Sequence, residues 1–153
     1  MSKGRDHYEG DLMQMEMDFE NVKVGDEVIN LIKGPLTKVQ FVRYAGASGD
    51  FNPLHTDEEA ARAAGFDGVV AQGMLMMGIV AQAITDCIPK RALRKFGVRF
   101  KAPARPGDVI RVTGMVTAKR VEGKNGIIVC SLEAADQKND VKVSGSFEAS
   151  FPL

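Results

Sequence analysis

Tryptophan is absent from this chain, and histidine and cysteine occur only twice each. So few histidines and thiols leave little from which to build a metal centre, and no ligand spacing joins them, so no metal is expected. Cys87 and Cys130 sit in apolar stretches without a Cys-x-x-Cys pair. That excludes a disulfide framework and a thiol-redox motif, and reads as buried free thiols in a reducing, cytoplasmic compartment. Net charge is missing as well: 20 Lys+Arg stand against 20 Asp+Glu. Binders of nucleic acid or of anionic membranes carry a basic surplus, so neither partner is expected, and a phosphate-bearing ligand must meet a local basic cluster. The first residues lack a basic stretch followed by an apolar run, so no signal peptide is expected. The longest uncharged run, Gly68 to Thr85, only touches the ~18 residues of a membrane span. Gly68, Gln72, Gly73, Gly78 and Gln82 interrupt it, and it reads as a buried core helix.

What is present is enough for one domain. A chain of 153 residues with 44% apolar side chains can close a core without staples. Residues 1–20 are polar, acidic and methionine-rich and read as an arm, with Met13, Met15 and Met17 spaced by two as in a short strand. Residues 21–153 read as a single domain. Glu27 to Lys33 mixes β-branched and polar residues as a strand does, and Gly34-Pro35 ends it. Thr37 is placed to cap a helix over Lys38–Ala47, whose apolar Val39, Val42 and Ala45 recur every three residues. Asn52 precedes Pro53 and is steered away from the helical region, so Asp50 to His55 should be irregular and partly extended. Asp57 caps a short helix, Glu58 to Ala64, that Gly65 stops. Gly73 to Ile88 forms about sixteen residues of helix, apolar or small on nearly every side, which must be surrounded by protein. Strands follow over Phe96–Lys101, Asp108–Lys119, Gly126–Asp136 and Val141–Phe151, with the turn Glu122-Gly123-Lys124-Asn125-Gly126, whose Asn-Gly signals a hairpin, before the third. One strand, a helical middle and four meandering strands make an α+β fold, an antiparallel sheet wrapped on one long helix.

Ser48, in Gly46-Ala47-Ser48-Gly49-Asp50, comes close to a nucleophile elbow, but a helix precedes it and Asp50 replaces the final glycine. It reads as a helix-end or turn residue. Asp50 and His55 hold a carboxylate and an imidazole on a segment that Pro53 keeps non-helical, where both can point into one pocket. Gly73 starts the greasy helix. Its N–H has no partner within the helix, sits at the positive end of the dipole, and has no Cβ to keep a ligand carbonyl away.

Together these residues resemble a known family. Tyr44-Ala45-Gly46-Ala47-Ser48-Gly49-Asp50-Phe51-Asn52-Pro53-Leu54-His55-Thr56-Asp57, then Ala60, Gly65-Phe66 and Ala71-Gln72-Gly73-Met74-Leu75, resemble the MaoC-like dehydratases. These include (R)-specific enoyl-CoA hydratases and 3-hydroxyacyl thioester dehydratases. The resemblance implies the hotdog fold and reversible hydration of a 2-enoyl thioester of CoA or acyl carrier protein, with no cofactor. It implies Asp50 and His55 as the catalytic pair, Gly73 as the N–H donor to the thioester carbonyl, and Asn52 in a supporting role. Gln72 stands where many members carry histidine. Met74, Leu75 and Met77 are candidates to line an acyl tunnel. Lys90, Arg91, Arg94 and Lys95 form a basic cluster, of which Arg94 and Lys95 are candidates to meet CoA or carrier phosphates. A lone unit would leave one side of its helix and one sheet edge bare, so a homodimer or higher oligomer is implied. A thioesterase on the same fold remains a rival reading. So does a non-catalytic acyl-thioester binding subunit, or one chain of a heterodimeric dehydratase.

Overall fold

The computed structural model describes residues 17–153. Met13, Met15 and His7 lie outside the described residues. Met17 is already part of the domain: it is buried in the core, and its N–H donates to Cys87 O at 2.8 Å.

Five strands form one antiparallel sheet around one helix. The strands are β1 (Glu27–Lys33), β2 (Leu93–Phe100), β3 (Ile110–Glu122), β4 (Asn125–Ala135) and β5 (Val141–Pro152). Their order across the sheet is β1-β3-β4-β5-β2. Only β3, β4 and β5 meander. The expectation of four meandering strands is corrected at β2, which pairs with β5 at the far edge, Phe96 opposite Phe147. The connection 101–109 carries Pro103 and Pro106 and passes back over the fold, where Ala71 N and Leu36 N donate to Ala104 O and Asp108 O at 2.8 Å each.

The hairpin turn falls within the expected run Glu122–Gly126, at its start rather than at Asn125-Gly126. Glu122 pairs with Asn125, so the turn is Gly123-Lys124 and Asn125-Gly126 lies inside β4. Gly123 takes the left-handed conformation the turn requires, with φ 61. Gly126 serves a different need: the Phe19 ring lies where its side chain would be. Lys119 Nζ sits 4.3 Å above that ring and donates to Val22 O at 2.7 Å, fastening the incoming chain to the sheet.

Helix α1 (Lys38–Ser48) opens on Thr37, whose hydroxyl accepts from Gln40 N while Gln40 Oε1 accepts from Thr37 N, a reciprocal cap. It buries Phe41 and Ala45, spaced by four, and turns Val39 and Val42 outward. Of the three positions read from the sequence, Ala45 is therefore buried, while Val39 and Val42 lie off the buried face. Helix α2 (Glu58–Ala63) is capped by Asp57, which accepts from Glu59 N at 2.8 Å and Ala60 N at 3.1 Å.

Helix α3 (Gly73–Cys87) is the one the sheet wraps. Met76, Val80, Ala83, Ile84 and Cys87 are buried against Ile110, Val112, Cys130 and Phe147. The sheet curls round one side only. Met74, Gly78, Gln82 and Asp86, four apart along the helix, form an exposed stripe, so this chain alone does not surround the helix. No helix among the described residues is long and apolar enough to cross a membrane.

Candidate active site

The site begins where α1 ends. Gly49, with φ 76, turns the chain out of the helix. Ser48 Oγ donates to Tyr44 O at 2.7 Å and accepts from Asp50 N at 3.1 Å. Asp50 Oδ1 then accepts from Asn52 N at 3.3 Å, and Asn52 Oδ1 from Leu54 N at 3.3 Å. These short-range bonds replace helical ones and bend the chain back on itself. Asn52 thus bonds within the loop and caps the turn that follows it. The segment is tighter than the expected extended run: Pro53–His55 make a single 3-10 turn with the proline first.

The turn carries His55 inward. Its ring is buried, and Nδ1 lies 2.8 Å from Val70 O. A carbonyl can only accept, so Nδ1 carries the proton of the neutral ring and Nε2 presents its lone pair. Nε2 lies 3.5 Å from Asp50 Oδ2. That separation is too long for a direct hydrogen bond. It leaves room for a small hydroxylic molecule to reach both atoms. Asp50 is exposed on its outer side and His55 is not, so the two groups occupy unlike surroundings.

Three residues beyond Val70 the chain enters α3 at Gly73. Leu75 N and Met76 N both bond to Gln72 O, at 3.1 and 3.2 Å. Gly73 N has no acceptor among the described residues, which leaves a free donor at the positive end of a fifteen-residue helix. The face Gly73 presents is crowded by Phe100, since a Cβ there would lie 3.2 Å from two carbons of its ring.

Gln72 is fully buried and donates from Nε2 to Phe41 O at 2.9 Å, tying the start of α3 to α1. Its Oε1 has no hydrogen-bond partner among the described residues. Met74 is exposed beside Gly73, while Leu75 and Met77 are half-buried.

The basic cluster lies elsewhere. Arg94 and Phe100 are at opposite ends of β2, about 20 Å apart at strand spacing. Arg94 Nη1 sits 3.3 Å from Glu122 Oε2 and 4.0 Å from Glu148 Oε1. The Arg120 guanidinium, 2.8 Å away, holds the Glu148 carboxyl below the ordinary carboxylate range, and Lys95 and Arg94 add to this. The structure therefore does not bring Arg94 or Lys95 to Gly73. Among the described residues no group of three His, Cys, Asp or Glu side chains is arranged to hold a metal ion.

Sequence reasoning missed two contributors. The Val70 carbonyl is a backbone group with no residue-type signal. Phe100 carries only the alternation of Phe96, Val98 and Phe100, which does not show that it meets Gly73.

Comparison with known proteins gives the family. A family profile described as the MaoC like domain matches residues 10–136. The chain belongs to the MaoC-like dehydratase family. Among curated relatives, an (R)-specific enoyl-CoA hydratase of Rhodospirillum rubrum is 32% identical over 108 residues, covering 69% of this chain and 74% of that protein. An enoyl-CoA hydratase of Mycobacterium tuberculosis is 34% identical over 100 residues, 63% of this chain but only 32% of that longer protein. A solved structure, the (R)-hydratase from A. caviae, superposes with a TM-score of 0.74 at 23% identity, covering 87% of this chain and 99% of that one. The last likeness establishes the fold, which is the hotdog of the MaoC-like proteins.

Proposed function

We propose that this chain catalyses reversible hydration of a trans-2-enoyl thioester, carried on CoA or acyl carrier protein, to the (R)-3-hydroxyacyl thioester. The observation that carries the reading is the open pair. His55 Nε2 and Asp50 Oδ2 stand 3.5 Å apart, with His55 Nδ1 already committed to Val70 O. A neutral imidazole and a carboxylate are both acceptors at this point. A water bound to both donates one hydrogen bond to each and turns its oxygen lone pair outward.

In the hydration direction that oxygen attacks C3 while one of the pair takes its proton. Negative charge passes through the conjugated system to the thioester oxygen. The group that took that proton then delivers it to C2 on the same face, so that the water's OH and H are both accounted for in the product. The free N–H of Gly73 meets the thioester oxygen and carries the charge that develops there. By analogy with other sites, one such donor is worth roughly 10²–10³ in rate, and each acid/base group about 10²–10⁴. In the dehydration direction the same groups act in reverse. The exposed Met74 stripe of α3 is the surface a second copy would cover, completing a homodimer.

The test is loss of enoyl absorbance with crotonyl-CoA and with a medium-chain 2-enoyl-CoA, a thiol reagent in a parallel cuvette, and chiral analysis of the product. Absorbance loss without thiol release, giving the (R)-3-hydroxyacyl product, is expected. Thiol release would move the chain to the thioesterases.

A further inference from the structure

His55 is oriented by the Val70 carbonyl, and three consecutive N–H groups hold the segment carrying that carbonyl. Val69 N donates to Glu58 Oε2 at 3.1 Å. Val70 N donates to Leu54 O at 3.2 Å, and Ala71 N to Ala104 O at 2.8 Å. The second and third tethers are backbone to backbone. Only the first depends on a side chain.

Glu58 begins α2. Its Oε1 pairs with the ammonium of Lys38, the first residue of α1, and its Oε2 lies 3.9 Å from Arg62 Nη2. Gly68 passes so close that a Cβ there would lie 2.7 Å from Oε2. A single carboxylate thus fastens the starts of two helices to the segment that orients His55. The Lys38 ammonium, then the Val69 N–H, hold its carboxyl below the ordinary value, so it is an anion across the neutral range. An anionic acceptor binds a backbone N–H more tightly than a neutral one.

We propose that Glu58 is a positioning residue for His55, acting through the Val69–Val70 segment to keep the Val70 carbonyl on Nδ1 and so keep Nε2 aimed at Asp50. The proposal rests on the reading of His55 as one of the acid/base pair. Reaction geometry is demanding, and a shift of about 1 Å costs on the order of 10² in rate. A loosened tether should therefore lower kcat about tenfold and leave KM within about twofold.

The chain carries only two histidines, so replacing His7 with Gln leaves His55 as the sole imidazole signal in a nitrogen–proton spectrum. In that background Glu58→Ala is expected to broaden or shift the His55 Nδ1–H signal and to lower kcat. Glu58→Gln, which keeps an acceptor for Val69 N, should restore most of both. Gly68→Ala, which presses a methyl group on the same carboxylate, should reproduce the Glu58→Ala signature by an independent route. Lys38→Met keeps the Glu58–Val69 bond and should leave the His55 signal in place. A wild-type His55 signal in Glu58→Ala and Gly68→Ala, whatever happens to kcat, overturns the proposal. Should wild type turn over no enoyl thioester, the proposed function fails, while the imidazole signal still decides the role of Glu58.

Discussion

Replacing Gly73 by proline and by alanine tests the contribution of one N–H group. Proline is favoured at the first position of a helix, where its missing N–H has no intrahelical partner. Gln72 sits at φ −59 and ψ 135, extended geometry that a following proline accepts. Gly73 N has no acceptor among the described residues, so its removal breaks no internal bond. Both replacements add a Cβ 3.2 Å from the Phe100 ring, and that ring is 53% exposed and free to yield a few tenths of an ångström. The cost of the Cβ is therefore shared, and the ratio of the two rates reads the loss of the N–H together with the ring Cδ that takes its place. One oxyanion donor is worth about 10²–10³ in kcat, or roughly 2.7–4 kcal/mol. Gly73→Ala should fold with a melting temperature within about 4 °C of wild type. It should lose activity through obstruction, and Gly73→Pro should lose a further factor of about 10² or more. The assay is enoyl-CoA hydration at saturating substrate beside thermal unfolding of each variant. Equal rates from two folded variants would refute the assignment of the carbonyl to Gly73 N.

Three further outcomes follow from the structure. Asp136→Asn strips the buried Lys142 ammonium of a partner 3.2 Å away and leaves it Asp140, which is exposed. The loss should be about 2 kcal/mol, below the 3–5 of a pair buried on all sides, seen as a lower melting temperature. In wild type, burial raises the Asp136 carboxyl, but the Asp140 and Lys138 N–H groups and Lys142 outweigh it, and it titrates below its ordinary value. Its contribution is present above the unfolded value and is lost as pH falls below about 4, so melting curves of wild type and Asp136→Asn should converge there. Burial pushes the Cys87 and Cys130 thiols up to about 12, so neither should react with a thiol reagent near neutral pH until denaturant is added. Asp57→Ala removes the acceptor for Glu59 N and Ala60 N and should cost about 1 kcal/mol, measured by chemical denaturation.

What the sequence disclosed was local. Thr37, Asp57 and Gly73 mark helix starts because capping and free N–H chemistry depend on residues within one turn of each other. The Asp50–His55 loop was legible because Pro53 and Asn52 act on their immediate neighbours. The errors share a different origin. The turn lies inside the expected Glu122–Gly126, but not on its Asn125-Gly126: Phe19, about a hundred residues earlier, occupies the space above Gly126, and the two turn residues are Gly123-Lys124. Val39 and Val42 point outward because the buried face of α1 runs through Phe41 and Ala45. The pairing of β2 with β5 follows from the path of 101–109, and no property of β2 itself announces it. Val70 and Phe100 reach the site from separate parts of the chain, and Glu58 reaches the Val69 N–H from α2; these contacts could be found only once those parts were placed together.

The measurement closest to the central claim is hydration of a 2-enoyl-CoA by wild type, Asp50→Asn and His55→Ala, with thiol release followed in parallel. Both cysteines are buried, so released thiol reports the substrate alone. The account predicts absorbance loss without thiol in wild type, and a fall of about 10²–10⁴ in each variant at unchanged fold. Full activity in either folded variant would contradict it.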